Sequence, residues 1–143
     1  MKRVLVVRVR NISNVMVALV KVAVGIVFNA HGQVLIAERP AEKSHSGLWE
    51  FPGGKIETNE TVFCALQREL QEEIGIQVIT ADAWMQLDHT YPDRKVQLHI
   101  WRVTQFLGEP VSKENQRIQW VSLDCLSQFE FLSGNRKVLE ALL

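Results

Sequence analysis

Between Gly54 and Ile76 the chain commits itself to a helix that a purely structural protein would avoid. Thr58 and Asn59 are good N-cap types, Glu60 falls in the expected first turn where an anion is favoured, and Gly75 is the expected C-terminal stop. Helical spacing aligns Val62, Leu66 and Leu70 on one stripe, flanked by Phe63, Ala65 and Ile74. Glu69, Glu72 and Glu73 share a face, and at about 100° per residue Glu73 projects into the apolar stripe with Glu69 beside it. Clustered carboxylates repel one another and raise the cost of ionisation unless something strongly positive stands among them. A solvated helix carrying pairs such as Arg68 and Glu72 would keep its acids opposite the stripe.

The preceding loop, Phe51-Pro52-Gly53-Gly54-Lys55, joins a strand end to this helix, and its two glycines let backbone carbonyls approach a ligand closely. A loop carbonyl with two or three carboxylates is an all-oxygen donor set, suited to magnesium, or to manganese, better than to zinc. No His and Cys cluster with metal-ligand spacing competes with it.

These residues resemble the Nudix hydrolase signature. Gly54, Glu60, Arg68, Glu69, Leu70, Glu72, Glu73, Gly75 and Ile76 match it without a gap, an arrangement that chance supplies in about one window per billion. Within that family the likeness, running from about Val22 to Asn135, is to the MutT-type 8-oxo-dGTP diphosphatases. It rests on Ala23 to Val27, Leu48 to Lys55, Tyr91-Pro92-Asp93-Arg94, Gly108-Glu109-Pro110 and Trp120 to Leu123. The resemblance implies a metal-dependent nucleoside triphosphate pyrophosphohydrolase that converts 8-oxo-dGTP to 8-oxo-dGMP and pyrophosphate. Hydrolysis of ADP-ribose or an unmodified dNTP is the alternative within the family, and a non-catalytic Nudix-like binding module is the alternative outside it.

Carried over residue by residue, the resemblance makes Glu69 the base or base-positioning carboxylate, with Glu72 in the same catalytic group and Arg68 orienting a neighbouring carboxylate. The Gly53 carbonyl, Glu69, Glu72, Glu73 and Glu114 are the expected metal ligands, although Glu114 also reads as an exposed loop acid. Arg39, Glu50, Phe51, Pro52, Gly53, Asp93, Arg94 and Asn135 are the expected substrate contacts. Asn135 occupies the place of an asparagine that reads the purine edge, and it suits equally the N-cap of a last helix. Arg39 reads also as solvent-facing, Phe51 as a core aromatic, and Asp93 with Arg94 as a solvated turn. Where the subgroup can present a histidine near the pocket, this chain has Ser44 beside His45.

The rest of the sequence is compatible with a small enzyme. At 143 residues, of which 47% are hydrophobic, the chain suits one core. Its 16 basic residues balance 16 acidic ones, so direct nucleic-acid binding is not expected. Residues 1–15 carry Lys2, Arg3, Arg8 and Arg10 and no acid. They read as an extension of unknown role, either an edge strand or a segment upstream of a start at Met16, with a single domain over 16–143. The apolar run Val4 to Val7 ends at Arg8 without a cleavage-like region, and no apolar stretch is long enough for a membrane span. A cytoplasmic monomer with Cys64 and Cys125 reduced is therefore expected, Cys64 serving packing.

Strand-like runs cover Val22 to Phe28 and Gln33 to Ala37, around a hairpin turn at Asn29 to Gly32. Further strands are expected at Trp84 to Thr90, Lys95 to Phe106 and Gln119 to Leu123, and a closing helix at Asn135 to Leu143. The order predicts an α/β fold: a Nudix-like α/β/α sandwich with a mixed β-sheet between helices.

Overall fold

The computed structural model describes residues 6–11, 13–43 and 45–143. Eight strands and two helices follow in the order β1 (Val6–Arg10), β2 (Met16–Val27), β3 (Val34–Glu38), β4 (Trp49–Glu50), β5 (Gly53–Lys55), α1 (Val62–Ile74), β6 (Gln77–Thr90), β7 (Arg94–Leu107), β8 (Ile118–Val121) and α2 (Arg136–Leu142). Strands β1, β2, β7 and β6 lie in that order in one sheet, and β5 pairs with β2 off this path. The sheet is mixed, because β2 and β7 run parallel while the other pairings are antiparallel. A second sheet, in the order β4-β3-β8, is antiparallel throughout.

Strand alternation divides the apolar side chains between two cores. Ala23 and Val27 of β2 and Val103 of β7 pack with Leu66, Leu70 and Ile74 of α1. Val24 and Ile26 of β2, with Val96, Leu98 and Ile100 of β7, join Val34, Ile36, Trp49 and Phe51, and Val138 of α2 closes that side. The mixed sheet therefore has a helix on each face, as expected.

Several details differ from the sequence reading. The turn at Asn29 to Gly32 forms, with the Asn29 side-chain oxygen accepting from the amides of His31 and Gln33 at 2.9 Å each. It does not open a hairpin beyond the single Phe28–Val34 bridge. Both edges of β2 are already occupied, by β7 on one side and by β1 and β5 on the other, so β3 turns away into the second sheet. The helix starts at Val62, capped by Thr61, whose hydroxyl accepts from Cys64 N–H at 3.1 Å. Asn59 takes φ 66°, which excludes the extended N-cap geometry, and Glu60 falls before the helix. Gly75 ends it at φ 70°, as expected. Cys64 is exposed, not packed, and both thiols are free. β6 begins at Gln77, its weakly strand-forming first half held by β7. The closing helix is preceded by a 3₁₀ turn, Ser133–Asn135.

Residues 6–11 of the N-terminal extension are described, and β1 pairs antiparallel with the start of β2, Arg8 opposite Ala18 and Arg10 opposite Met16. No helix among the described residues is long and apolar enough to cross a membrane. The loop after Gly108 folds back onto the C-terminal end of α1. There the amides of Val111 and Lys113 donate to the Ile74 and Glu73 carbonyls at 3.0 and 3.1 Å, satisfying orphan acceptors and fixing the Glu114 loop.

Leu70 is fully buried between α1 and the sheet. Leu70→Ala should destabilise the protein by about 2–5 kcal/mol, read as a lowered urea midpoint with an unchanged slope.

Candidate active site

The site is assembled where β5 passes beneath α1. A β-carbon at Gly53 would lie 2.1 Å from the Ala23 carbonyl oxygen, and one at Gly54 would lie 2.2 Å from the Glu69 carboxyl carbon. Bare backbone at these positions lets strand and carboxylates approach to contact. Gly53 N–H then donates to Glu73 Oε2 at 3.1 Å, and Gln116 Nε2 donates to Glu73 Oε1 at 3.3 Å.

Burial pushes the Glu73 carboxyl up to about 8 from its ordinary 4.5. The Gly53 N–H opposes that shift, while the nearby Glu50, Glu114 and Glu69 carboxylates add to it. Glu50 is likewise raised by burial, opposed by Arg39, whose guanidinium lies 3.3 Å from it.

Arg68 organises the side of α1 behind this pair. Its Nε and Nη2 donate to the two Glu60 oxygens at 2.7 and 2.8 Å, its Nη1 donates to Glu69 Oε1 at 2.7 Å, and Nη2 also donates to the Lys55 carbonyl at 3.0 Å. Glu57 and Glu72 stand 3.8 and 3.6 Å from the same guanidinium. The two-point contact with Glu60 fixes the fork, which leaves its remaining donor aimed at Glu69. These bonds hold the guanidinium well above its ordinary basicity.

In front of the carboxylates lies a cavity of about 600 Å³. Its lining includes the carboxylates of Glu50, Glu57, Glu69, Glu73 and Glu114 with Gly53 and Gly54. Val20, Val22, Val96, Leu98 and Phe51 supply apolar surface, and His89, Tyr91, Arg94, Gly134 and Asn135 complete the wall. Carboxylates, apolar surface and one amide in a single cavity are the groups expected for a polyphosphate carrying a flat base.

Of the residues singled out from the sequence, Arg39, Glu50, Phe51, Gly53, Glu69, Glu73, Arg94, Glu114 and Asn135 line this cavity. Pro52 lies beneath it, its carbonyl accepting from Gly25 N–H at 2.9 Å. Arg68 supports the wall from behind, Glu72 is exposed beside Arg68, and Asp93 is exposed 3.4 Å from Arg94. Ser44 falls outside the described residues, whereas its neighbour His45 lines the cavity. Asn135 takes the N-cap position of α2 but makes no capping bond; its buried amide lines the cavity, with Nδ2 donating to the Leu132 carbonyl at 3.5 Å.

Sequence reasoning overlooked Gln116, Glu57, Tyr91 and His89. Tyr91 stood in a turn already singled out, and an aromatic bordering a charged turn was an available signal. Gln116 carried none, because only the fold-back of its loop brings it to Glu73.

A divalent cation is tested by the chemistry of these donors. As arranged, no three carboxylate, imidazole or thiol groups among the described residues converge on a single ion position. The donors are nonetheless all hard oxygens, and Glu73 is a buried carboxyl surrounded by others, a charge deficit that a divalent cation would answer. The residues fit such an ion.

With the geometry in place, comparison with known proteins is informative. A NUDIX domain model matches residues 23–141. The 8-oxo-dGTP diphosphatase of Escherichia coli K12 is 39% identical over 122 residues, covering 85% of this chain and 95% of the relative. The CTP pyrophosphohydrolase of the same organism is 34% identical, covering 84% and 89%. Among solved structures, one from a study of MutT from Aliivibrio salmonicida and Vibrio cholerae superposes with a TM-score of 0.78 at 34% identity, covering 87% of this chain and 96% of that one. The solution structure of the E. coli ORF135 protein gives 0.76 at 34% identity, covering 86% and 87%.

The fold and the acidic helix are those of a nucleotide-anhydride hydrolase scaffold. The chain belongs to the Nudix family. Nudix hydrolases generally depend on a divalent metal.

Because Glu73 titrates near 8 when folded and near 4.5 when unfolded, the folded state holds a proton that the unfolded chain has released between those values. Stability should therefore fall as pH rises through that window and level off above it. Thermal melts in a chelator across pH 5–9 should show the decline, and Glu73→Gln should flatten it; an equal slope in the variant would remove Glu73 as its source.

Proposed function

We propose that this enzyme hydrolyses 8-oxo-dGTP to 8-oxo-dGMP and pyrophosphate with magnesium as the metal. The observation that carries the reading is a single cavity lined both by the carboxylates of Glu69, Glu73 and Glu114 and by the buried Asn135 amide. Relatives of E. coli and Haemophilus influenzae named 8-oxo-dGTP diphosphatase, at 39% and 34% identity, support the same substrate.

The ion would be held by the Gly53 carbonyl, Glu69, Glu73, Glu72 and Glu114, and when bound it supplies positive charge between these carboxylates and the phosphate oxygens. Glu69 faces the cavity with one oxygen engaged by Arg68, which leaves it oriented to take a proton from the attacking water. Arg68 is a positioning group in this scheme, holding Glu69 and Glu60 together on one guanidinium. Water adds to one phosphorus of the α–β anhydride while that phosphorus loses its bond to the bridging oxygen, giving the monophosphate and pyrophosphate, and Arg39 and Lys55 lie along the cavity wall to meet phosphate charge.

Selection of the base falls to Asn135. In 8-oxo-guanine N7 carries a proton, where guanine presents a lone pair. The Asn135 amide oxygen can accept from the former, while against the latter one buried acceptor faces another. Phe51 and Tyr91 border the slot in which the purine would lie. A pyrimidine, the base named for the CTP pyrophosphohydrolase relative, has no N7 edge to offer.

A panel of 8-oxo-dGTP, dGTP, CTP and ADP-ribose, read by pyrophosphate release and product analysis, tests the proposal. 8-oxo-dGTP should lead, and a lead for CTP or ADP-ribose would replace it. Asn135→Ala should narrow the 8-oxo-dGTP to dGTP ratio of kcat/KM by about tenfold or more. Glu73→Gln should raise the magnesium concentration for half-maximal turnover by at least about tenfold.

A further inference from the structure

We infer that His89, Tyr91 and Ser133 clamp the segment that carries Asn135, and that this clamp sets the selectivity for the base; the inference rests on the function proposed above. Asn135 ends the 3₁₀ turn Ser133–Asn135 and has no capping bond of its own. Its own bonds both go back to the Leu132 carbonyl, so its position depends on what grips the turn from Leu132 onward.

Two grips are present, and they come from different sheets. On the side of the three-stranded sheet, Trp49 N–H donates to the Glu130 carbonyl at 2.8 Å and Leu132 N–H donates to the Trp49 carbonyl at 3.0 Å. The Leu132 carbonyl then accepts from the Asn135 N–H at 3.0 Å and from its Nδ2 at 3.5 Å, so this hold spans the two residues between without gripping the Ser133 side chain. On the side of the five-stranded sheet, the end of β6 supplies the second grip. His89 Nε2 and Ser133 Oγ lie 3.1 Å apart in a hydrogen bond, and the His89 ring meets Tyr91 edge-on with centroids 4.7 Å apart.

Between these groups lies Gly134. A β-carbon there would come within 3.3 Å of the Tyr91 hydroxyl and 3.6 Å of the His89 ring, so both side chains stand beside the backbone next to Asn135 with little room to spare. Tyr91 is itself held by Arg94 over its ring at 4.8 Å, and by His45 at 6.3 Å on the opposite loop. The cavity rim is thus a chain of contacts from β6 to Ser133 and on to the reading amide.

The backbone grip is made by main-chain groups, which side-chain substitution leaves in place. The His89–Ser133 bond lies at the exposed rim, where it contributes little to global stability. Its energy is available to hold Asn135 against the purine edge. His89 and Ser133 are accordingly positioning residues, acting through Asn135.

The test measures kcat and KM for 8-oxo-dGTP and dGTP in wild type, Ser133→Ala, His89→Ala, Asn135→Ala and the Ser133→Ala/Asn135→Ala double variant. Ser133→Ala should raise KM for 8-oxo-dGTP by about fivefold, the value of one hydrogen bond, with kcat and the dGTP parameters within about twofold. Ser133→Thr should restore the wild-type KM. In the double variant the Ser133 change should add nothing to Asn135→Ala. If Asn135→Ala narrows the ratio while Ser133→Ala and His89→Ala leave it unchanged, the clamp is overturned and the base reading stands. If wild type does not prefer 8-oxo-dGTP over dGTP, the reading on which the clamp rests fails first.

Discussion

The close approach of β5 to α1 is the constraint on which the rest of this molecule depends. Two residues without side chains put a strand backbone against the carboxylates of a helix, at distances where any β-carbon would overlap atoms already present. Gly53 is pressed on the other face by the Ala23 carbonyl, so neither partner can retreat to make room. Layer spacing, the Gly53 bond to Glu73 and the mouth of the cavity all follow from that contact.

Bringing the layers so close gathers acids that would repel one another, and the chain answers with differing environments instead of uniform pairing. Glu60 and Glu69 share Arg68, Glu50 has Arg39, and Glu73 is left with hydrogen-bond donors that carry no net charge, the Gly53 amide and the Gln116 side chain. Glu73, buried and with uncharged donors, is the carboxyl pushed up to about 8. Three neighbouring acids on one helix thereby acquire three characters: Glu69 oriented by a guanidinium, Glu73 buried, Glu72 exposed.

Much of this was legible in the residues before any coordinates. The placement of Glu73 within an apolar stripe is a local conflict that only a site explains, and the two glycines before the helix announced a close approach. Helix and strand types followed from spacing, because burial on one face imposes its own period on the sequence. What could not be read was set by partners distant in the chain. The departure of β3 from β2 depends on β7 and β5 claiming both edges of β2, and nothing between Val22 and Ala37 encodes that. The shift of the helix start to Val62 turns on Asn59 taking a left-handed conformation, while Glu60 is drawn to an arginine eight residues on. Gln116 reaches Glu73 through a loop folded onto a helix end, again a tertiary event.

The N-terminal strand has a bearing on how the molecule meets its own copies. Among the described residues β1 leaves one row of backbone donors and acceptors without a strand partner in its sheet, the kind of border along which chains zip together. Arg8 and Arg10 alternate along it, so two copies laid antiparallel about Val9 would set arginine against arginine. Like charges facing across a ladder oppose such pairing. The same side chains lie on the face of the sheet shared with Ala18 and Arg94, which makes that border cationic.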